Sequence, residues 1–100
     1  MIYLTQLIFV KEGKEAVFHQ FEEIAIPIMA DYNGKVVYRI RPGKESFVSY
    51  EEEQPYEIHF ISFELEQDFK NFLKDPRREE FMYLKEEAIK STFLVKGTKI

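Results

Sequence analysis

Four polar residues on two neighbouring predicted strands are the best candidates for chemistry in this sequence: Arg39, Arg41, Glu57 and His59. Side chains alternate along a strand, so Glu57 and His59 lie on the same face of the third predicted strand. For the same reason Arg39 and Arg41 share a face of the second strand with Val37, which is expected to lie deeper in the protein. If the strands pair as a hairpin in register, both arginines come alongside His59. An imidazole beside a carboxylate and a guanidinium can act as an acid, a base or an anchor for an anionic ligand.

The same four residues also have a structural interpretation. The ring of a histidine in the middle of a strand can form a cross-strand hydrogen bond, here at an interface between two copies of the chain. A buried arginine without a partner costs several kcal/mol, so pairing of Arg39 or Arg41 with Glu57 is expected in any case. Substitution separates the two roles, since a structural cluster sets stability and a functional one sets ligand retention.

Two tyrosines extend the candidate ligand site. Tyr32 and Tyr38 are predicted to line a pocket between the first helix and the sheet. Tyr is amphipathic, so packing there with the hydroxyl at the rim is the equal alternative.

Other kinds of site are not expected. The chain has two His and no Cys, without the HxH or HExxH spacing of metal sites, so no metal is predicted. The four glycines are scattered and form no phosphate-binding loop, and no serine has the context of a nucleophile. His19 is expected on the solvated side of a helix beside Glu22 and Glu23. No cofactor is predicted.

The hydrophobic pattern predicts elements in the order β-α-β-β-α-β. The predicted strands are 2–10, 35–41, 56–64 and 91–99, and the predicted helical segments are 14–32, 65–73 and 76–90. Pro27 should kink the first helix, and Asn33-Gly34 should end it with Gly34 in a left-handed cap. Asp75 before Pro76 is typical of a helix start. The polar connection 44–55 contains a stretch, 46–50, that can extend the hairpin.

This order predicts an α+β fold for residues 1–100 as a single domain: a ferredoxin-like βαββαβ sandwich, with a four-stranded antiparallel sheet and helices on one face. Both faces of the first and third strands are largely apolar, although helices cover only one of them. A second copy stacked on the free face would give a homodimer in the form of an α/β barrel. The alternative is a monomer whose free face is shielded by residues 44–55.

Composition narrows the choice of partners. The chain of 100 residues carries a formal net charge of -4, so neither nucleic acid nor an anionic membrane surface is an expected partner. RNA-recognition domains share the order of elements, but their basic positions are missing here, and Ile58 stands where base stacking would require a ring.

Met1 to Val10 lacks the features of a signal peptide, and no apolar run is long enough to span a bilayer. We expect a cytoplasmic protein.

Several short motifs resemble one known family. They are Pro27 in the first helix, Tyr32-Asn33-Gly34, Phe63, Asp75-Pro76 and Leu94-Val95-Lys96-Gly97. In these the chain resembles the domain of unknown function 1330 family of the dimeric α/β-barrel superfamily. The chain departs from the family pattern at Lys85 and Glu86, where relatives often carry an Arg, and in its acidic 44–55 connection. The resemblance implies a fold and a dimer but little chemistry, because fold alone does not fix function.

Two functions stay open at this point. One is a cofactor-free small-molecule site, with or without catalysis, between the sheet and the helices. The other is a non-catalytic homodimeric interaction or stress-type module. A deep pocket with polar groups beside aromatic side chains would favour the first, and a space filled by side chains would favour the second.

Overall fold

A computed structural model describes residues 1–100. The strands are β1 (Ile2–Val10), β2 (Gly34–Ile40), β3 (Glu57–Phe63) and β4 (Ile89–Gly97). The helices are α1 (Glu15–Met29), α2 (Glu66–Leu73), α3 (Pro76–Glu80) and α4 (Met82–Ala88). Short 3-10 turns follow at Ala30–Tyr32 and Lys44–Ser46. The strand order is β2-β3-β1-β4, and every neighbouring pair is antiparallel. This confirms the predicted α+β sandwich.

The core lies between the helices and one face of the sheet. Leu4, Ile8, Ile61 and Phe63 point from the sheet into it and are buried. Helix α1 covers them with an apolar face whose buried members are Phe18, Phe21, Ala25, Ile28 and Met29. A helix with one apolar face gains its stability mainly by burying that face, which explains why α1 lies along the sheet.

The opposite face of the sheet has no helix on it, and we call it the open sheet face. Tyr38, Phe60, Phe93 and Val95 lie there, and each is more than a third exposed. Tyr38 and Phe60 stack edge to face with ring centroids 6.2 Å apart. The prediction of an apolar second face is therefore correct. The 44–55 connection forms no strand, so the proposed extension of the hairpin at 46–50 is wrong.

The turn into β2 differs from the prediction. Asn33, and not Gly34, adopts the left-handed conformation, with φ of 57°. Gly34 is required for another reason: a Cβ there would lie 2.7 Å from Cδ1 of Phe63, deep inside the contact distance. Asn tolerates the left-handed region better than most residues, so it can provide the cap itself.

The second helical segment is divided. Asp75 caps α3 as predicted, since its Oδ1 accepts from the Arg77 backbone N–H at 2.7 Å. The single predicted helix over 76–90 breaks at Phe81, however, and the last strand begins at Ile89. No helix in the structure combines the length and apolar character needed to cross a membrane.

Candidate functional site

A β-bulge brings the predicted cluster together. The register of β2 on β3 shifts between Val36 and Tyr38, after which Arg39 lies opposite His59. The extra residue is Val37, which is therefore not deep on the arginine face as predicted; Val36 takes that place, opposite Ile61. A bulge reverses the alternation of side chains beyond it. It thereby turns Arg39 toward the helices.

His59 lies between two buried carboxylates. Its Nε2 is 2.5 Å from Oε2 of Glu57 and 3.1 Å from Oε2 of Glu22. Glu22 comes from α1 and is only 3% exposed. The prediction that Glu22 belongs to a solvated helix face is wrong, because His59 and Arg39 beneath the helix provide partners for its charge.

The two arginines complete what we call the charge cluster: Glu22, Glu57, His59, Arg39 and Arg41. Arg39 donates from Nη2 to Glu22 Oε1 at 2.6 Å and from Nε to Glu57 Oε2 at 3.3 Å. Arg41 donates to Glu57 Oε1 from both Nε, at 3.1 Å, and Nη2, at 2.8 Å. Pairing of Arg39 or Arg41 with Glu57 was the expectation, and both arginines form it.

The cluster separates the pKa values of its two glutamates. Burial raises the pKa of Glu22, and the nearby Glu57 raises it further, while His59 and Arg39 offset only part of this. Burial also opposes ionisation of Glu57, but hydrogen bonds from His59 and Arg41 hold its pKa well below the usual range. For His59, burial disfavours the charged ring, yet the two glutamates outweigh it and raise its pKa. The cluster thus favours the ionised form of Glu57 and the charged form of His59, and it disfavours ionisation of Glu22.

Three groups of the cluster also satisfy the spacing of a cation site. Ligand atoms of Glu22, Glu57 and His59 lie within 4.8 Å of one another. The guanidinium groups of Arg39 and Arg41 already neutralise the two carboxylates, however. A divalent cation would add charge where charge is balanced, so we interpret the group as an ion-pair network.

A cavity of about 180 Å³ lies beside the cluster, between the sheet and all four helices. Fourteen of its twenty lining residues are hydrophobic, including Leu4, Phe18, Phe21, Ile61 and Phe72. Glu22 and His59 reach its wall, whereas Glu57 does not. A wider open depression of about 390 Å³ at residues 42–56 is lined mostly by polar and charged groups, and it lacks the apolar enclosure of a small-molecule site.

Two further cations lie on the cavity wall, and we call them the cationic wall: Arg78 of α3 and Lys85 of α4. The guanidinium of Arg78 stacks over Phe72, 4.8 Å from the ring centroid, and its Nη1 donates to the Leu73 carbonyl at 3.1 Å. Its Nε is inaccessible to solvent and has no hydrogen-bond partner. Neither cation forms an ion pair. Burial lowers the pKa of both side chains; Asp75 offsets part of this for Arg78, and Arg78 lowers the pKa of Lys85 further.

The two predicted tyrosines do not line this cavity. Tyr32 donates from its hydroxyl to Asp75 Oδ2 at 2.5 Å and packs on Phe72 at the end of α1. Tyr38 lies on the open sheet face, 65% exposed, because the bulge turns it away from the helices. Sequence reasoning missed Arg78 altogether, and it noted Lys85 only as a departure from a family pattern. His19 shares a hydrogen bond with the Tyr56 hydroxyl at 2.7 Å.

Comparisons with known proteins support the fold. No protein-family model matches the sequence, and no curated protein matches it. A solved protein of unknown function from Rhodopseudomonas palustris aligns with 99% of this chain and 82% of its own, at 13% identity and a TM-score of 0.84. A nipsnap family protein of unknown function from Agrobacterium tumefaciens aligns over 97% and 86%, at 18% identity and a TM-score of 0.70.

A third solved structure is described as having a ferredoxin-like fold. A dimeric protein of unknown function and ferredoxin-like fold from Bacteroides fragilis aligns with 96% of this chain and 93% of its own. Its identity is 14% and its TM-score 0.69. At such low identities the likeness shows the fold alone. The chain is a small α/β protein with the ferredoxin-like fold, as predicted, and the narrower family resemblance stays a prediction.

Proposed function

We propose that this protein binds a small, largely apolar organic anion in the cavity between its sheet and its helices. The observation that carries the proposal is the cationic wall: Arg78 and Lys85 line an apolar cavity, neither forms an ion pair, and Nε of Arg78 has no hydrogen-bond partner. Buried charges are normally paired, because desolvation is costly. A ligand with one carboxylate, phenolate or enolate group would provide the missing partner.

The chemistry of the wall suits such a ligand. The guanidinium of Arg78 offers its free Nε–H, and the ammonium of Lys85 offers three donors. The rest of the cavity is apolar and would surround the body of the ligand. A cavity of about 150 Å³ in another protein takes up a benzene molecule, so about 180 Å³ suits a single ring with a short polar substituent.

A titration followed by NMR tests this proposal. 3-Phenylpropionate, which has one ring and one carboxylate, is added to the isotope-labelled protein while backbone amide shifts are recorded. We expect saturable shifts concentrated on α3, α4 and the cavity side of α1. Lys85→Met should weaken binding about tenfold, the equivalent of one charge-assisted hydrogen bond.

The matched control is Lys70→Met, which removes an exposed lysine of α2 and should leave binding unchanged. No saturable shifts at millimolar ligand, or shifts confined to the 42–56 depression, would contradict the proposal.

We also infer that the protein forms a homodimer through its open sheet face. Four exposed apolar side chains lie together there: Tyr38, Phe60, Phe93 and Val95. Contiguous apolar surface of this kind usually marks an interface, and the neighbour from Bacteroides fragilis is dimeric. The partner this face suits is a second copy, whose identical face has the same apolar character.

Light scattering tests the dimer. The protein should have about twice the mass of its 12.0 kDa chain, and Phe60→Asp should return it to 12.0 kDa. Tyr83→Asp, which alters an exposed aromatic residue on α4, is the control and should remain dimeric. A monomer at micromolar concentration would contradict the inference. If the dimer forms but no ligand binds in the cavity, the non-catalytic interaction module becomes the better description.

A further inference from the structure

Gln6 is a neutral polar residue in the middle of the sheet face that lines the cavity. It lies on the inner strand β1 between Leu4 and Ile8, which point to the same face and are buried. All three residues line the cavity. An amide among core side chains is costly unless it forms hydrogen bonds, so its partners need to be identified.

The protein provides no partner for this amide. On β3 the residue opposite Gln6 is His59, whose Nε2 bonds to Glu57 instead, and on β4 it is the apolar Leu94. The Gln6 side chain takes part in none of the side-chain hydrogen bonds of the structure. Its oxygen and its NH₂ group are therefore both available to a ligand.

A ligand in the cavity can reach Gln6. The side chain is half-buried, and its amide is not among the unpartnered polar groups that are closed off from solvent, which are Glu22 Oε2 and Arg78 Nε. Leu94, its neighbour on β4, lines the cavity and is 47% exposed, so the cavity opens to solvent beside Gln6.

Gln6 also lies on the opposite side of the cavity from the cationic wall. The amide belongs to the sheet, whereas the two cations belong to α3 and α4. Of the other polar residues around the cavity, two belong to the charge cluster, and Thr92 is exposed on the edge strand β4. A ligand between sheet and helices thus meets cations on the helix side and a free neutral amide on the sheet side.

We propose that Gln6 selects ligands with a neutral hydroxyl group at the end remote from their acid group. The proposal rests on the proposed function, because the cationic wall must hold the acid group. A hydroxyl suits the amide because it can donate to the Gln6 oxygen and accept from the Gln6 NH₂ group. The ligand class is therefore an aromatic acid with a hydroxyl on its ring.

Calorimetry with closely related ligands tests the proposal. 3-Phenylpropionate is compared with 3-(4-hydroxyphenyl)propionate and 3-(3-hydroxyphenyl)propionate, which add one hydroxyl at different ring positions. We expect wild type to bind at least one hydroxylated acid about fivefold more tightly than 3-phenylpropionate, which is the net effect of one neutral hydrogen bond. In Gln6→Met this preference should disappear, while 3-phenylpropionate should bind with an affinity changed by less than about twofold.

The matched control is Gln20→Met, which makes the same replacement at an exposed glutamine of α1 and should keep the preference. If Gln6→Met does not fold, Gln6→Asn serves in its place, because it keeps an amide but withdraws it by one methylene and should also lose the preference. Wild type that binds all three acids equally, or a preference that persists in the Gln6 variant, overturns this inference alone. A protein that binds none of the three acids overturns the proposed function as well.

Discussion

Two groups of charged residues border the same cavity, and they differ in whether their charges are paired. In the charge cluster, two carboxylates face a histidine and two arginines, and hydrogen bonds of 2.5 to 3.3 Å connect them. In the cationic wall, Arg78 and Lys85 lie near each other and neither forms an ion pair, although Asp75 favours the charge of Arg78 from a distance. The first arrangement stabilises a fold, whereas the second is costly unless something else brings an anion.

This difference suggests that one group stabilises the fold and the other binds a ligand. Paired charges connect β2 and β3 to α1, and they include the ion pair between Glu22 and His59 at 3.1 Å. Unpaired cations on the short helices α3 and α4 keep the fold less stable than it could be. Sites that bind ligands commonly carry such a cost in stability. The comparison can be tested by removing charges from each side and following stability and binding together.

The largest effect is expected in the charge cluster. His59→Ala leaves the buried carboxylates of Glu22 and Glu57 facing each other, so it should lower the free energy of unfolding by about 3 kcal/mol. Arg39→Ala should act in the same direction, because Glu22 loses its closest partner. Urea unfolding monitored by circular dichroism measures the change.

The matched control for this prediction is His19→Ala, which removes a single hydrogen bond to Tyr56. It should cost only about 1 kcal/mol. A loss in His59→Ala no greater than that in His19→Ala would mean that the cluster does not support the fold.

A smaller effect of opposite sign is expected in the cationic wall. Lys85→Met removes an unpaired, half-buried ammonium while keeping an apolar stem, so it should raise the free energy of unfolding by about 1 kcal/mol. The same variant should bind 3-phenylpropionate more weakly. Lys70→Met should change the stability by less than about 0.5 kcal/mol, since that lysine is exposed. Lower stability in Lys85→Met would show that Lys85 has a structural partner.

The pH dependence of stability should distinguish the two groups more finely. The raised pKa of His59 means that its stabilising effect is complete below its ordinary value of 6.5 and is lost as pH rises through the folded value. The lowered pKa of Lys85 means that its destabilising effect disappears as pH rises toward its ordinary 10.5.

Stability measured from pH 6 to 10 therefore has two expected trends. The difference between wild type and His59→Gln should shrink as pH rises. Wild type should be less stable than Lys85→Met, and this difference should also shrink as pH rises, because the destabilising charge of Lys85 is lost. Parallel profiles for all three proteins would contradict both pKa shifts.

Much of this arrangement could be predicted from the sequence because it depends on local patterns. Strand β1 follows from a run of β-forming residues, and the start of α3 follows from Asp75 before Pro76. The grouping of His59 with Glu57 follows from alternation along one strand. Its pairing with Arg39 was predicted on the assumption of a regular hairpin, and it holds because the bulge at Val37 restores the required face.

The remaining features depend on tertiary contacts that no local pattern reports. Glu22 has a polar residue's position on the helical wheel, and only His59 and Arg39 from the sheet make its burial tolerable. Regular alternation places Tyr38 on the wrong face of the sheet, because the sequence pattern does not reveal the bulge at Val37. Arg78 and Lys85 reach the cavity only because the second helical segment breaks at Phe81, so that α3 and α4 both point a basic side chain inward.

The most direct test of the account is a calorimetric comparison of two ligands with the same shape and different charge, 3-phenylpropionate and 3-phenylpropanamide. If the cationic wall recognises an anion, the carboxylate should bind wild-type protein about tenfold more tightly than the amide or better. In Lys85→Met this preference should shrink, while affinity for the amide stays the same. Equal affinity of wild type for both ligands, or a preference that Lys85→Met leaves intact, would contradict the claim that these unpaired cations form the binding site.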